Sequence, residues 1–275
     1  MPTLNHLSPV LGTEITGLDL NQLDEALGRE LRGLLAERGV LVIRDQQLDH
    51  EAHKKVAACF GTGELHRHPL AMGAGSVDPY VLPITTSATS AYAIGDGWHT
   101  DVSCDLTPIA ASLLYMREMP ESGGGDTMFA SMVEAYALLS DPIKALISGL
   151  TALHDGALPW RDLYGKEPDA GMAFNRNVHP MVIAHPENGK PLLWVNRGFT
   201  TRIEGVTPTE SRALLEMLFR HVEATPRLQC RVRWKEDTLV IWDNIATQHH
   251  AVWDYFPHSR RAERVSVIGG ELQAA

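Results

Sequence analysis

The sequence predicts an α+β fold, rich in β-strand, over 275 residues. Two features predict it. The first is order: helical and strand-like segments come first, and the rest is mostly strand with helical insertions. That is not the regular alternation of a parallel βαβ protein. The second is a hairpin signature, HPMVIAHPENGKPLLWVN, in which two apolar runs flank Asn188-Gly189.

The elements follow from local patterns. Leu23 to Arg38 has apolar residues at helical spacing, with Asp24 and Glu25 at its start and Gly39 as a stop. VLVIRD, Val40 to Asp45, reads as a short β-branched strand. Asp49 to Phe60 reads as a second helix. The stretch from Gly61 to Gly97 is rich in Gly, Pro, Ser, Thr and Ala and reads mainly as loop; long loops in compact domains are often functional. ASLLYM, Ala111 to Met116, reads as a buried strand, and Ser131 to Leu150 as helical with a break near Pro142. Thr207 to Ala224 is an amphipathic helix with Thr207 or Thr209 as N-cap. CRVRWKEDTLVIWDN alternates as strand does, with a turn at Glu236-Asp237, and RVSVIGG reads as a last strand.

Composition narrows the function classes. The chain is 44% hydrophobic and 21% charged, an ordinary globular profile. Its formal charge of -10 disfavours binding to nucleic acid or to an anionic membrane surface, so the expected partner is a small molecule. Cys59, Cys104 and Cys230 are odd in number and widely spaced, which argues for reduced thiols and a cytoplasmic setting. The start of the chain lacks the pattern of a signal peptide, and no run approaches the ~20 apolar residues of a membrane span. With no repeat or linker-like tract, residues 1–275 are expected to form one domain.

Three motifs carry the chemistry. In Trp98-His99-Thr100-Asp101, side chains two apart share a face of an extended segment, so His99 and Asp101 can converge on one divalent metal. Thirteen histidines also make a chance surface His-x-Asp pair easy to reach. In TLVIWDNIATQHHAVWDY, an apolar strand runs into His249 and His250, which point to opposite faces if extended; one at most joins an interior site. The alternative for each is a structural, hydrogen-bonded histidine. In HSRRAERVSVIGG, Arg260 and Arg264 share a strand face, and arginine suits bidentate binding of a carboxylate. A solvated charge cluster is the alternative there. Taken together, two histidines and one carboxylate leave three coordination positions open on iron, enough for a bidentate 2-oxo acid and O2.

In that combination and order the chain resembles the TauD/TfdA family of iron(II)- and 2-oxoglutarate-dependent dioxygenases. The likeness runs from LGTEITGLDL and VLVIRDQQL through WHTDVS, MPESGGGDTMF, HPMVIAHPENGKPLLWVNRGFTTRIEG and WDNIATQHHAVWDY to RRAERVSVIGG. The resemblance implies a double-stranded β-helix (jelly-roll) core with helices outside, and a homo-oligomer. It places iron on His99, Asp101 and His249, and the 2-oxoglutarate C5 carboxylate on Arg260 with help from Thr127. Arg264 falls on a family arginine near the substrate anion and the C1 carboxylate. The presence of Asp101 favours hydroxylation over halogenation, since related halogenases lack it.

The substrate half departs from the taurine pattern. His68 falls on a substrate-contacting histidine and Phe199 on a pocket aromatic. Ala71 and Gly156 stand where taurine dioxygenase has aromatic residues, and the loop before WHTD lacks an expected asparagine. The expectation is therefore oxidation of an unactivated C–H bond in a small anionic molecule, with a pocket enlarged beyond taurine. Desaturation or cyclisation by the same cofactor chemistry is the nearest alternative. A redox-inert metal hydrolase has no use for Arg260 and Thr127, and a non-catalytic scaffold has no use for any of these residues.

Overall fold

The computed structural model describes residues 2–68, 78–162 and 173–275. In chain order the strands are β1 (Thr3–His6), β2 (Thr13–Thr16), β3 (Val40–Ile43), β4 (Leu82–Thr86), β5 (Ile109–Glu118), β6 (Thr127–Ser131), β7 (Thr151–Asp155), β8 (Arg176–Pro180), β9 (Val182–Ala184), β10 (Pro191–Leu193), β11 (Thr200–Ile203), β12 (Gln229–Val232), β13 (Leu239–Asp243), β14 (Thr247–Ala251) and β15 (Arg260–Ile268). The helices are α1 (Glu25–Arg38), α2 (His50–Ala57), α3 (Met132–Ala137), α4 (Asp141–Ile147), α5 (Leu158–Asp162) and α6 (Pro208–Glu223). The architecture is mixed and β-rich. None of the described helices is long and apolar enough to cross a membrane.

A seven-stranded sheet in the order β1-β2-β3-β13-β5-β15-β4 forms the base. A three-stranded sheet, β12-β6-β14, packs over one face of it. The strand β3 shows how one sheet serves two cores. Val40 and Val42 point toward the small sheet, with Trp242, Phe129 and Val232. Leu41 and Ile43 point the other way, against Leu31 and Leu35 of α1 and Val56 of α2. Period-two alternation with both faces buried explains why VLVI is apolar throughout. A third core joins α3, α6 and the β9–β10 hairpin through Leu192, Leu193, Leu218 and Phe219.

Most long-period elements lie where the sequence places them. Asp24 caps α1 by accepting the Leu27 N–H at 2.8 Å, and Gly39 ends it with φ 66°. Thr207 caps α6 in a reciprocal capping box with Glu210. The break near Pro142 divides the helical stretch into α3 and α4, with Pro142 in the first turn of α4, where its missing N–H loses no bond.

Short strands are where the structure adds most to the local patterns. The Gly61–Gly97 segment contains β4, which exists because β15 offers it a partner at the sheet edge. The CRVRWKEDTLVIWDN segment turns near Asp237, at φ 57°, and its two strands, β12 and β13, belong to different sheets.

A buried histidine gives this fold a defined acid response. His53 on α2 is fully buried, and its Nε2 donates to the Leu113 carbonyl of β5 at 3.1 Å. Burial lowers its pKa to about 4. The unfolded chain titrates near ~6.5 and so binds the proton that the native state refuses. Stability is therefore complete above about pH 6.5 and falls as pH drops toward about 4. His53→Gln keeps an N–H for Leu113 and is expected to remove on the order of 2 kcal/mol of the stability change between about pH 7.5 and 5. Urea unfolding at the two pH values measures it; an unchanged difference would contradict the assignment.

Candidate active site

Two segments far apart in sequence meet at one end of the sandwich. The stretch bearing His99 lies antiparallel to β14, with His99 N–H donating to the His249 carbonyl at 3.0 Å and the reverse bond at 2.8 Å. Thr100 Oγ1 adds a bond to the Thr247 carbonyl at 3.1 Å. That pairing brings His99, Asp101 and His249 together. One candidate ligand atom from each lies within 4.8 Å of the others, and all three residues are buried. Gly198 permits the packing behind them: a Cβ there would fall 2.7 Å from the His99 Cβ.

Each of the three is oriented by its neighbours. His99 Nδ1 lies 2.8 Å from the Gly97 carbonyl, which can only accept. Nδ1 therefore carries the proton, and Nε2 keeps its lone pair toward the cluster. Nε2 sits 3.7 Å from Asp101 Oδ1. The His249 ring packs against Trp242, at 4.9 Å, and Phe129, at 6.0 Å. Burial, then His99, holds His249 far below the ordinary histidine range, so it stays neutral. Burial works to raise the Asp101 pKa, but Arg264 and the two histidines outweigh it and hold the carboxyl well below its usual range. Arg264 Nη1 donates to Asp101 Oδ1 at 2.6 Å, and Ser112 Oγ donates to Oδ2 at 3.1 Å. Two imidazoles beside a carboxylate are a donor set suited to a divalent transition metal, and iron(II) fits it.

The β15 face supplies the neighbouring cations. Arg260, Ala262 and Arg264 all point into the sandwich, as alternation requires. Arg260 is 6% exposed, its Nε has no hydrogen-bond partner, and its guanidinium lies over the Trp234 ring at 5.6 Å. Burial lowers its pKa, a direction opposed by Tyr255 and Asp126. Among the described residues no carboxylate oxygen lies within ion-pair distance of it. Thr127 Oγ1 faces the same narrow cavity and accepts the Trp234 Nε1–H at 3.0 Å. Gly125, at φ 70°, leaves the room: a Cβ there would meet the Arg260 Cδ at 3.0 Å.

A second, larger cavity of about 380 Å³ opens beside the first, and His99 and Arg264 line both. His68 and Phe199 line the larger one. Burial, then Arg264, pushes His68 down to about 3, so it acts there as a neutral hydrogen-bonding ring. Ala71 lies outside the described residues. Sequence reasoning missed His66, Cys104, Asp105, Trp160 and Phe174, which also line this cavity. Only His66 carried a signal: it stands two before His68 in LHRHP, so both rings can share a side, and their centroids are 5.9 Å apart. Gly156 lines the same wall, where an added Cβ would meet Cys104 Sγ at 3.0 Å and Phe174 Cβ at 3.2 Å.

A β-rich fold with a buried His-Asp-His cluster, next to a buried arginine that has no acidic partner among the described residues, has the parts that a non-haem iron oxygenase consuming a 2-oxo acid needs. Comparison with known proteins agrees. Residues 3–266 match the family described as taurine catabolism dioxygenase TauD, TfdA family. An alpha-ketoglutarate-dependent sulfonate dioxygenase of Saccharomyces cerevisiae is 33% identical, over 94% of this chain and 65% of its own. An alpha-ketoglutarate-dependent sulfate ester dioxygenase of Pseudomonas putida is 31% identical, over 94% of this chain and 87% of its own. The crystal structure of a taurine dioxygenase from Burkholderia xenovorans superposes with a TM-score of 0.82 at 34% identity, covering 98% of this chain and 89% of that one. The chain belongs to the TauD/TfdA family. It is a 2-oxoglutarate-dependent non-haem iron dioxygenase, an oxidoreductase that uses iron(II), 2-oxoglutarate and O2.

Proposed function

We propose that this enzyme hydroxylates an unactivated C–H bond of a small, anionic organic molecule, with release of succinate and CO2. The observation that carries the reading is Arg260: a buried guanidinium with no acidic partner among the described residues, set beside Thr127 and opening toward the His-Asp-His cluster. A buried cation is expected to have a matching anion, and the distal carboxylate of a 2-oxo diacid supplies one.

In this reading His99, Asp101 and His249 hold the iron. When bound, iron(II) and 2-oxoglutarate supply the oxidising power, O2 being reduced as the 2-oxo acid loses CO2. The protein's own residues do the rest. Arg260 and Thr127 orient the co-substrate. Phe129 and Trp242 pack against His249 and keep water from that side of the site. Arg264 and the neutral His68 face the substrate anion, and Phe199 packs on its apolar part. Sulfonates and sulfate esters, the substrates in the names of two relatives, have the required anion next to an oxidisable carbon.

The same reading takes residues 1–275 as one domain on a double-stranded β-helix core, supported by the small antiparallel sheet that faces the large one. It also takes the chain as a homo-oligomer, as the family resemblance implies, and places it in the cytoplasm, a setting that three free cysteines suit.

Succinate release from 2-oxoglutarate, measured over a length series of alkyl sulfonates, alkyl sulfates, aryloxyalkanoates and amino-acid derivatives, tests the function. No stimulation by any anionic compound, or succinate release without metal, would reject it. Gly156 sets the expected size limit. Gly156→Phe fills the cavity beside Cys104 and Phe174 and is expected to lower kcat/KM for the longest substrates by about 10–100-fold. Affinity for 2-oxoglutarate should not change.

A further inference from the structure

Asn244 lies in the turn between β13 and β14 and has no exposed surface. Its carboxamide makes three hydrogen bonds, all to backbone groups: two to Asp101 and one to Ile109, where β5 begins. Oδ1 accepts the Asp101 N–H at 2.9 Å. Nδ2 donates to the carbonyls of Asp101, at 3.0 Å, and Ile109, at 2.9 Å. Its own backbone N–H donates to the Ala110 carbonyl at 2.9 Å. One acceptor and two donors are all engaged, a set that aspartate cannot supply and that glutamine carries one carbon too far.

The loop held in this way is strained at one point. Val102, directly after Asp101, has φ 40°, a left-handed conformation that a β-branched residue rarely adopts. Such a conformation persists only where its surroundings over-determine it. The bonds from Asn244 to both backbone groups of Asp101 do so from the preceding residue. The adjacent Asp243 reaches elsewhere: its carboxylate lies 2.8 Å from His185 Nε2 and accepts the N–H groups of Ile245 and Ala246.

We propose that Asn244 is a positioning residue of the metal site. It ties the loop carrying His99 and Asp101 to the turn that leads into β14 and His249, and so sets where the Asp101 carboxylate stands relative to the His249 ring. Asn244 acts only through Asp101, and the role rests on the reading of His99, Asp101 and His249 as metal ligands.

The test is titration of metal-free protein with Mn(II), followed by loss of the free-ion EPR signal. Amide hydrogen exchange at Asp101 is measured in parallel. Asn244→Ala and the near-isosteric Asn244→Asp are expected to weaken Mn(II) binding by about 10–100-fold and to speed exchange at the Asp101 amide. His185→Leu removes the contact on the other side of the same turn. It should lower Tm yet leave Mn(II) affinity within about twofold, outside the range expected for a lost positioning group. If Asn244→Ala does not fold, Asn244→Asp decides. Asn244→Asp protein that binds Mn(II) as wild type does overturns the positioning role. So does His185→Leu protein that loses as much affinity as the Asn244 variants, since that shows general destabilisation. Wild-type protein that fails to bind Mn(II) overturns the metal-site reading instead.

Discussion

His99→Ala is expected to abolish the weak visible charge-transfer band that anaerobic iron(II) and 2-oxoglutarate give with the wild-type protein. The Nε2 lone pair of His99 is already aimed at the cluster by the bond from Nδ1 to the Gly97 carbonyl, so no other described group can take its place without moving. Substitutions that merely disturb a ligand's orientation weaken metal binding by about 10–100-fold, and removing the ligand itself should exceed that range. Turnover should fall with the metal. Removing the imidazole also leaves a cavity beside Gly198, so Tm is measured alongside. Wild-type protein that gives no band and has no affinity for 2-oxoglutarate would end the oxygenase reading. A band that survives His99→Ala would remove His99 from the ligand set.

Arg260→Gln is the second large effect, and its selectivity is the informative part. The Arg260 guanidinium is buried, so its bond to a carboxylate forms out of water and is correspondingly strong. Loss of one partner from a buried charge pair costs about 2–5 kcal/mol, which corresponds to roughly 30- to 5,000-fold in the dissociation constant for 2-oxoglutarate. Metal affinity should hardly move, because Arg260 belongs to the other end of the cavity. Arg260→Lys should fall between the two, since the ammonium keeps the charge and loses the planar fork. Calorimetry with the Mn(II) form under anaerobic conditions separates the two affinities. Equal losses of metal and 2-oxoglutarate affinity in Arg260→Gln would show a structural role rather than a co-substrate contact.

These effects fall on residues whose chemistry was readable from short stretches of chain. His99 and Asp101 are two apart, and Arg260 and Arg264 are four apart on one strand. In extended backbone both spacings keep side chains on one side, and the structure brings both pairs into the site. The long helices were equally legible, because Asp24, Gly39 and Thr207 state where α1 and α6 begin or end. Short strands were not. The strands β4, β6, β7 and β11 have four or five residues each, too few for a periodic signal, and each is a strand because a neighbour pairs with it.

The sequence by itself determined the donor types, the face each side chain takes on its own strand, and the family. The tertiary structure decided which distant groups meet. His249 joins His99 only because two backbone hydrogen bonds lay their segments side by side. Thr127 reaches the Arg260 cavity only because β6 sits between β12 and β14. The larger cavity collects His66, Cys104, Asp105, Trp160 and Phe174 from separate segments, and Asn244 reaches the backbone of Asp101, 143 residues away in sequence. The physical reason is one of range. Rotamers, caps and alternation are set within a few residues of chain, whereas a pocket is a product of packing between elements, and no local pattern encodes its partners.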